Sequence, residues 1–409
     1  MRTPVVVIGA GQAGLAMSHH LTGRSIDHVV LDRGEVAQSW RTERWDSLRL
    51  LTPNWMTRLP GQCYQGPDPE GFMNKDETIA FLEHYRHSFA APVRTHVDVE
   101  SVQVRGAGFE VTTDQGNWTC DAVVAATGAS SEPRLPPVAA GLPAHIHQLT
   151  ALRYRSPDQI DPGGVLVVGA SASGVQIADE LRRSGREVTV AVGEHVRLPR
   201  SHRGRDIHWW MDAIGQLDER YDEVDDIDRA RRLPSLQLVG GPERRTLDLN
   251  ALMSAGVGVV GKLMRVIDGV AQFSGGLANL VANADLKLNR LLDRIDDYAA
   301  DHGIAGLSEP CRPTHTDVGA VPTELPLERF DTVVWATGFR PRYSWLDPAA
   351  FDGRGRVVHD GGVGEIPGLY LLGLPFMRRR KSSFLDGVGP DAGDLASHLH
   401  AHLDRRTRR

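Results

Sequence analysis

Cysteine is scarce in this chain. Three residues in 409, Cys63, Cys120 and Cys311, are odd in number and far apart, so a disulfide framework is excluded and a reducing, cytoplasmic setting is expected. No two of them form a CxxC pair, which removes dithiol exchange within one motif. Long apolar runs are missing too. A membrane span needs roughly 18 residues, and the densest stretch, 251–271, is broken by Lys262, Arg265 and Asp268. A strand pattern begins within five residues of Met1, leaving no room for a signal peptide. Excess positive charge is also lacking: the net charge is -6, which argues against nucleic acid as a partner. The exceptions are the run Arg378 to Lys381 and the tail residues Arg405, Arg406, Arg408 and Arg409, both expected to be solvated surface. His398, His400 and His402 lie at i, i+2 and i+4, so only two share a helix face, and no metal site is expected.

Glycine, by contrast, is plentiful, with 43 residues. Its placement is informative in "VVVIGAGQAGLAMSHHLTGRSIDHVVLDRG", residues 5–34. The pattern is a strand over 4–8, a turn over 9–14, a helix over about 11–23 and a strand over 28–32. In a dinucleotide-binding unit Gly9 allows the tight turn, Gly11 lets a pyrophosphate approach the backbone, and Gly14 allows the helix to pack on the sheet. Gln12 and Ala13 open the helix, whose unpaired N–H groups attract phosphate. Asp32, with Arg33 beside it, ends the second strand where a carboxylate can take the hydroxyls of an adenosine ribose.

A second unit, "GVLVVGASASGVQIADELRRSGREVTVAVG", follows from residue 164. Gly169 and Gly174 repeat the first and third glycines, Ser171 stands at the middle position, and Ser173 lies between. Where Asp32 stood the reading places Gly193, followed by "EHVRLPRSHRGR". A missing carboxylate with Arg197, Arg200 and Arg203 close by suits the 2′-phosphate of NADPH rather than NADH. Each unit leads to an Ala-Thr-Gly strand, "AATG" at 125–128 and "WATGF" at 335–339. The fold expected is α/β, with two Rossmann-like dinucleotide-binding domains, the second inserted into the first. The expected divisions are 1–155, 156–330 with a substrate or lid insertion near 203–250, and 331–409.

Elsewhere, 76–90 has helical periodicity with Asp76 as its N-cap, and 92–126 reads as a small β element. "GVGVVGKLMRVIDGVAQFS" reads as short strands turning at Asp268-Gly269, and 276–301 as an amphipathic helix. Residues 205–250 are polar, with "HWWMD" (His208, Trp209 and Trp210, a candidate cavity lining or simple core) and the acidic run "DERYDEVDDID".

From "GAGQAG" through "SWRTERWDSLRL", "ATG", "VVGASASG" and "ATGF", nearly the whole chain resembles the class B flavin-dependent monooxygenases and their flavoprotein relatives. The missing CxxC separates it from the disulfide-reductase branch of such proteins. Gly141 and His145 keep the spacing of a family fingerprint, with Ala139 and Leu149 at its aromatic positions. The resemblance implies FAD in the first unit, with Trp40, Arg41, Thr127 and Gly128 near it, Gly338 in the second Ala-Thr-Gly segment, and Gly373 and the helix beginning near "DGVGPDAG" closing over the flavin. It implies reduction by NADPH and oxygenation of a small organic substrate by O₂ through a flavin hydroperoxide. The alternative is an oxidoreductase passing electrons to a quinone or protein acceptor. A homodimer is compatible with either.

Overall fold

The computed structural model describes residues 1–408, the side chain of Thr407 excepted; Arg409 of the basic tail lies outside the described residues. In chain order the main elements are β1 (Val5–Ile8), α1 (Gln12–Thr22), β2 (His28–Leu31), α2 (Lys75–Ser88), β3 (Val93–Arg94) and β4 (Ala122–Ala125). Then come β5 (His147–Thr150), β6 (Gly164–Val168), α3 (Ala172–Arg183), β7 (Glu187–Ala191), β8 (Gly258–Val260) and α4 (Leu277–Asp301). The chain closes with β9 (Thr332–Trp335), β10 (His359–Asp360), β11 (Val363–Gly364), β12 (Leu369–Leu371) and α5 (Leu385–Thr407).

Two sheets organise these elements. The first has the order β10-β11-β12-β4-β1-β2-β3, with β12, β4, β1, β2 and β3 parallel. The second has the order β5-β9-β6-β7-β8, and every pair in it is parallel. Parallel strands covered on both faces must be apolar on both sides, which is why "VVVI" and "VLVV" are continuous apolar runs. In β1, Val5 and Val7 face α1 and α5, while Val6 and Ile8 face the opposite layer. In β6, Val165 and Val167 face the helical layer, and Leu166 and Val168 face away from it.

The internal repeat extends beyond the glycine turns. Behind the first sheet lies an antiparallel three-stranded sheet, Val99–Arg105, Gly108–Thr113 and Gly116–Cys120, presenting Phe109, Val111 and Trp118 to the core. Behind the second lies another, Leu263–Ile267, Val270–Phe273 and Glu324–Pro326, presenting Leu263, Ala271, Phe273 and Leu325. Each meander precedes the strand that ends in Ala-Thr-Gly. In the second unit the meander is interrupted by α4, whose Leu277, Val281, Ala284, Leu288, Leu292, Ile295 and Ala299 form its buried stripe. The expected turn at Asp268-Gly269 is present, both residues having positive φ.

Three expectations need correction. The second sheet takes β5, which lies before residue 155, and β9, which lies after residue 330. The expected divisions at 155 and 331 therefore cut through one sheet, because both strands pair in parallel beside β6. The cap of α2 is Asn74, not Asp76: its side chain accepts from Glu77 N–H, and Glu77 in turn accepts from Asn74 N–H. Asp76 lies inside the first turn, where it only complements the helix dipole.

The basic run is not solvated surface either. It is paired, partly with the acidic run and partly with carboxylates of α5: Lys381 lies 3.1 Å from Asp218 and 3.0 Å from Asp386, and Arg380 pairs with Glu219. Arg379 lies 2.7 Å from the buried Asp391 and Arg378 3.2 Å from Asp394. Backbone bonds from Tyr221 to Arg378, Arg380 to Glu219 and Lys381 to Leu217 fix the two runs side by side. Among the described residues no helix is long and apolar enough to cross a membrane.

The capping box supplies a test. Asn74→Ala removes the side-chain acceptor and should lower stability by about 1 kcal/mol, whereas Asp76→Ala should change the urea midpoint far less. Equal losses in the two variants would contradict the assignment.

Candidate functional site

The two phosphate turns have nearly the same backbone. Gly11 has φ -83° and ψ -172°, and Ser171 has φ -85° and ψ -171°. Gly9 N–H donates to Leu31 O at 2.7 Å, and Gly169 N–H to Ala191 O at 2.9 Å. Both glycines have positive φ, +107° and +114°. A Cβ on Gly9 would lie 2.6 Å from Ala126 O, and one on Gly169 would collide with Ala336 O. The two Ala-Thr-Gly segments thus run directly against the first glycine of each turn. Gly14 and Gly174 sit under the carbonyls of Gly9 and Gly169, where any side chain would strike backbone. Gly11 differs: a Cβ there would meet nothing within 4 Å. Its space opens at the N-terminus of α1, where phosphate binds well.

That space belongs to a cavity of about 330 Å³. It is lined by Gly9, Gly11, Gln12, Ala13, Asp32 and Arg33, by Trp40 and Arg44, by Thr127 and Gly128, and by Gly373. Asp32 Oδ2 accepts from Ala10 N–H at 2.6 Å and Oδ1 from Gly34 N–H at 2.9 Å. Burial raises the Asp32 carboxyl above its usual value, and the two N–H donors oppose that rise. Gln12 Nε2 donates to Ser383 O at 2.8 Å, tying the start of α1 to the residue before the N-cap of α5. Gly373 packs against Ala13. Thr127 Oγ1 is buried with no hydrogen-bond partner among the described residues.

Arg41 is a correction. Its guanidinium pairs with Glu83 and donates to Val36 O at 3.1 Å, away from the cavity. Arg44, on the same segment, lines the cavity instead, 5.7 Å from the Trp40 ring centroid. Val97, Asp98, Val99, Arg342, Trp345 and Ser383 also line it and had no sequence signal, since they come from a strand approach and two loops remote in the chain. Gly338 does not line the cavity. It lies in the crossing segment, where Arg134 N–H donates to its carbonyl at 2.9 Å.

The second turn is covered by part of the segment expected to be a substrate or lid insertion. Gln237 Nε2 donates to Ala170 O at 2.6 Å, and Gln176 Nε2 to Leu238 O at 3.1 Å. Ser171 is the N-cap of α3, and its hydroxyl does not cap the helix. The arginines expected at the 2′-phosphate are elsewhere. Arg197 is 4% exposed and bonds Asp248 at 2.9 Å, Asp285 at 2.7 Å and Pro313 O at 2.7 Å. Arg200 is 1% exposed and bonds Asp206 at 2.6 Å, His208 Nδ1 at 2.9 Å and Leu51 O at 2.8 Å. Arg203 is held by Asp296. A buried guanidinium needs a carboxylate; Asp206 lies 6 positions from Arg200, but Asp248, Asp285 and Asp296 lie 51 to 93 positions from the arginines they hold, out of reach of a local reading. His208 and Trp210 are core, the Trp210 Nε1–H donating to His202 O at 2.7 Å.

Two sheets, the first mostly and the second wholly parallel, each with a phosphate turn, define the mixed α/β fold of the two-dinucleotide-binding-domain flavoproteins. Residues 6–214 match the family described as pyridine nucleotide-disulphide oxidoreductase, and the chain belongs to that family. It is 32% identical to a Geobacillus kaustophilus protein named "Uncharacterized oxidoreductase CzcO-like", over 97% of this chain and 98% of that one. It is 28% identical to the indole-3-pyruvate monooxygenase YUCCA1 of Oryza sativa subsp. japonica, over 98% of this chain and 93% of that one. The flavin-containing monooxygenase from Stenotrophomonas maltophilia has the same fold, with a TM-score of 0.68 at 22% identity and coverage of 98% and 99%. The protein is therefore an oxidoreductase, and FAD with NADPH, the pair expected from its two turns, are the cofactors that fit this class. Of its three cysteines none is disulfide-bonded; Cys63 is exposed and Cys120 buried.

The corrected arginine has its own test. Arg197→Ala would strand Asp248 and Asp285 in the interior and should destabilise the protein by about 3–5 kcal/mol. Denaturant unfolding measures this, and a variant with unchanged stability would contradict the ion-pair assignment.

Proposed function

We propose that the protein is an FAD- and NADPH-dependent monooxygenase that transfers one oxygen atom of O₂ to a small organic substrate. The observation that carries this reading is the pair of matching phosphate turns, of which the first opens into a built cavity and neither adjoins a dithiol. The names of the rice relative and of the Stenotrophomonas structure support oxygenation over other outcomes.

In this reading FAD occupies the first cavity. Gly11, Gln12 and Ala13 would hold its pyrophosphate and Asp32 and Arg33 its ribose, with Trp40, Arg44, Thr127, Gly128 and Gly373 lining the rest of the cavity. The open space at Gly11 and the unpartnered Thr127 hydroxyl fit such a group. The start of α5 lies beside this cavity through Ser383, with no side-chain cap on Phe384. The positive end of that helix is placed to favour negative charge on a reduced flavin. Gly169, Ser171, Ser173 and Gly174 hold the nicotinamide dinucleotide. Bound FAD supplies the oxygen chemistry, and the protein's part is to orient both cofactors and exclude water. The chain divides by its sheets, the nicotinamide part running from about β5 to β9 and the FAD part formed by the segments on either side.

The purified protein should be yellow, with stoichiometric FAD. Gly11→Val should abolish FAD binding while preserving the fold, because the added side chain enters open space in the protein itself. Full FAD occupancy in that variant would overturn the assignment of the first turn. With NADPH and ¹⁸O₂, label should appear in an organic product. Stoichiometric hydrogen peroxide across a range of organic substrates, with no labelled product, would favour electron transfer without oxygenation.

A further inference from the structure

The two units correspond residue by residue beyond their second strands. Asp32 N–H donates to Arg94 O at 3.0 Å, and Val192 N–H donates to Val260 O at 3.0 Å. Val192, not Gly193, is thus the counterpart of Asp32, and it is apolar and buried. It has no side-chain acceptor for a ribose hydroxyl. Gly193 follows, and a Cβ on it would meet nothing within 4 Å. Around this open position stand three polar side chains. Glu194 and Lys287 of α4 face each other at 3.7 Å, with side chains 63% and 44% exposed. His195 is buried, its Nδ1 bonds Gly193 O at 3.0 Å, and its Nε2 has no partner among the described residues. With Arg197, Arg200 and Arg203 all committed to carboxylates, Lys287 is a cation beside Glu194 held only by a loose, exposed pair.

We propose that Lys287 recognises the 2′-phosphate of NADP and that Glu194 opposes it, so that this pair sets the preference between NADP and NAD. The inference rests on the reading that the second turn binds a nicotinamide dinucleotide. An exposed pair at this separation contributes little, so the Lys287 ammonium leaves Glu194 readily for a charge-assisted bond to a phosphate dianion. NAD offers a hydroxyl at the same position. It gains nothing from the ammonium and can donate to the Glu194 carboxylate.

The test is binding rather than turnover. Titration calorimetry on the oxidised, FAD-loaded protein compares NADP⁺ with NAD⁺, and adenosine 2′,5′-bisphosphate with AMP. Lys287→Gln should weaken NADP⁺ and the bisphosphate about tenfold or more, the loss of one charge-assisted hydrogen bond, and leave NAD⁺ and AMP within about twofold. Glu194→Gln should tighten NADP⁺ and weaken NAD⁺. Both positions are exposed, so FAD content and melting temperature should not move, which separates a binding effect from misfolding. Equal losses for NADP⁺ and NAD⁺ in Lys287→Gln, or unchanged NADP⁺ affinity, would overturn the inference while leaving the second turn as a nicotinamide site. A native protein that binds neither dinucleotide would instead overturn the reading of the second turn, and this inference with it.

Discussion

The carbonyl of Ala126 occupies the place a side chain on Gly9 would need, and the carbonyl of Ala336 does the same at Gly169. This close approach of a strand end to a phosphate turn is the constraint on which the rest of the molecule depends. It fixes where each Ala-Thr-Gly segment leaves its sheet, and so where the chain crosses between sheets. The crossing segments then pair with each other: Glu132–Pro133 runs antiparallel to Phe339–Arg340, and Arg340 lies 3.0 Å from Glu132. Both proposed cofactor positions follow from that geometry, because each turn is built at the carboxyl end of its sheet, beside the crossing. This is the general position for ligands in open α/β sheets.

A second layer of organisation is electrostatic. The chain from 217 to 231 returns from the second unit and lies against 376–386, just ahead of α5. Arg231 donates to the carbonyls of Phe376 and Met377, and Arg356 pairs with Asp228 at 3.0 Å. The buried Asp386 receives Lys381 and Arg58 together. A basic run that looks like solvated surface in one dimension is neutralised in three by the start of the acidic run and by carboxylates of α5. Such pairs contribute little where exposed, but the members buried at Asp386 and Asp391 cannot lose a partner cheaply. Their effect is to hold the start of α5 beside the first cavity.

The repeat also shows where two copies of one architecture differ. Both units share strand, turn, helix, strand, meander and Ala-Thr-Gly strand. They differ at Gly11 against Ser171 and at Asp32 against Val192. They differ again in α4, which the second unit inserts within its meander. The carboxylate of Asp32 is held at the strand end by two backbone donors, while the equivalent Val192 is apolar and buried.

Local chemistry was enough to determine much of this. Glycine spacing, continuous apolar strands and the amphipathic stripe of α4 each follow from period and backbone geometry, and they gave two dinucleotide units and their order. Gly9, Gly11, Gln12 and Ala13 of the first cavity were legible because a phosphate turn demands them within one short segment, whereas Trp40, Thr127, Gly128 and Gly373 came from the family resemblance. Tertiary structure decided what depends on partners distant in sequence. Arg197 and Arg200 read as phosphate ligands until Asp248, Asp285 and Asp206 are seen to enclose them. Arg41 and Arg44 are indistinguishable in "SWRTERW" until Glu83 on α2 claims the first. The counterpart of Asp32 was misplaced by one residue although it was legible, since the offset that relates Gly9 to Gly169 and Gly14 to Gly174 leads from Asp32 to Val192, and the hydrogen bond from Val192 to Val260 agrees. An arginine's sequence neighbours do not reveal whether its charge faces a ligand or a buried carboxylate; that is fixed by which helix packs beside it.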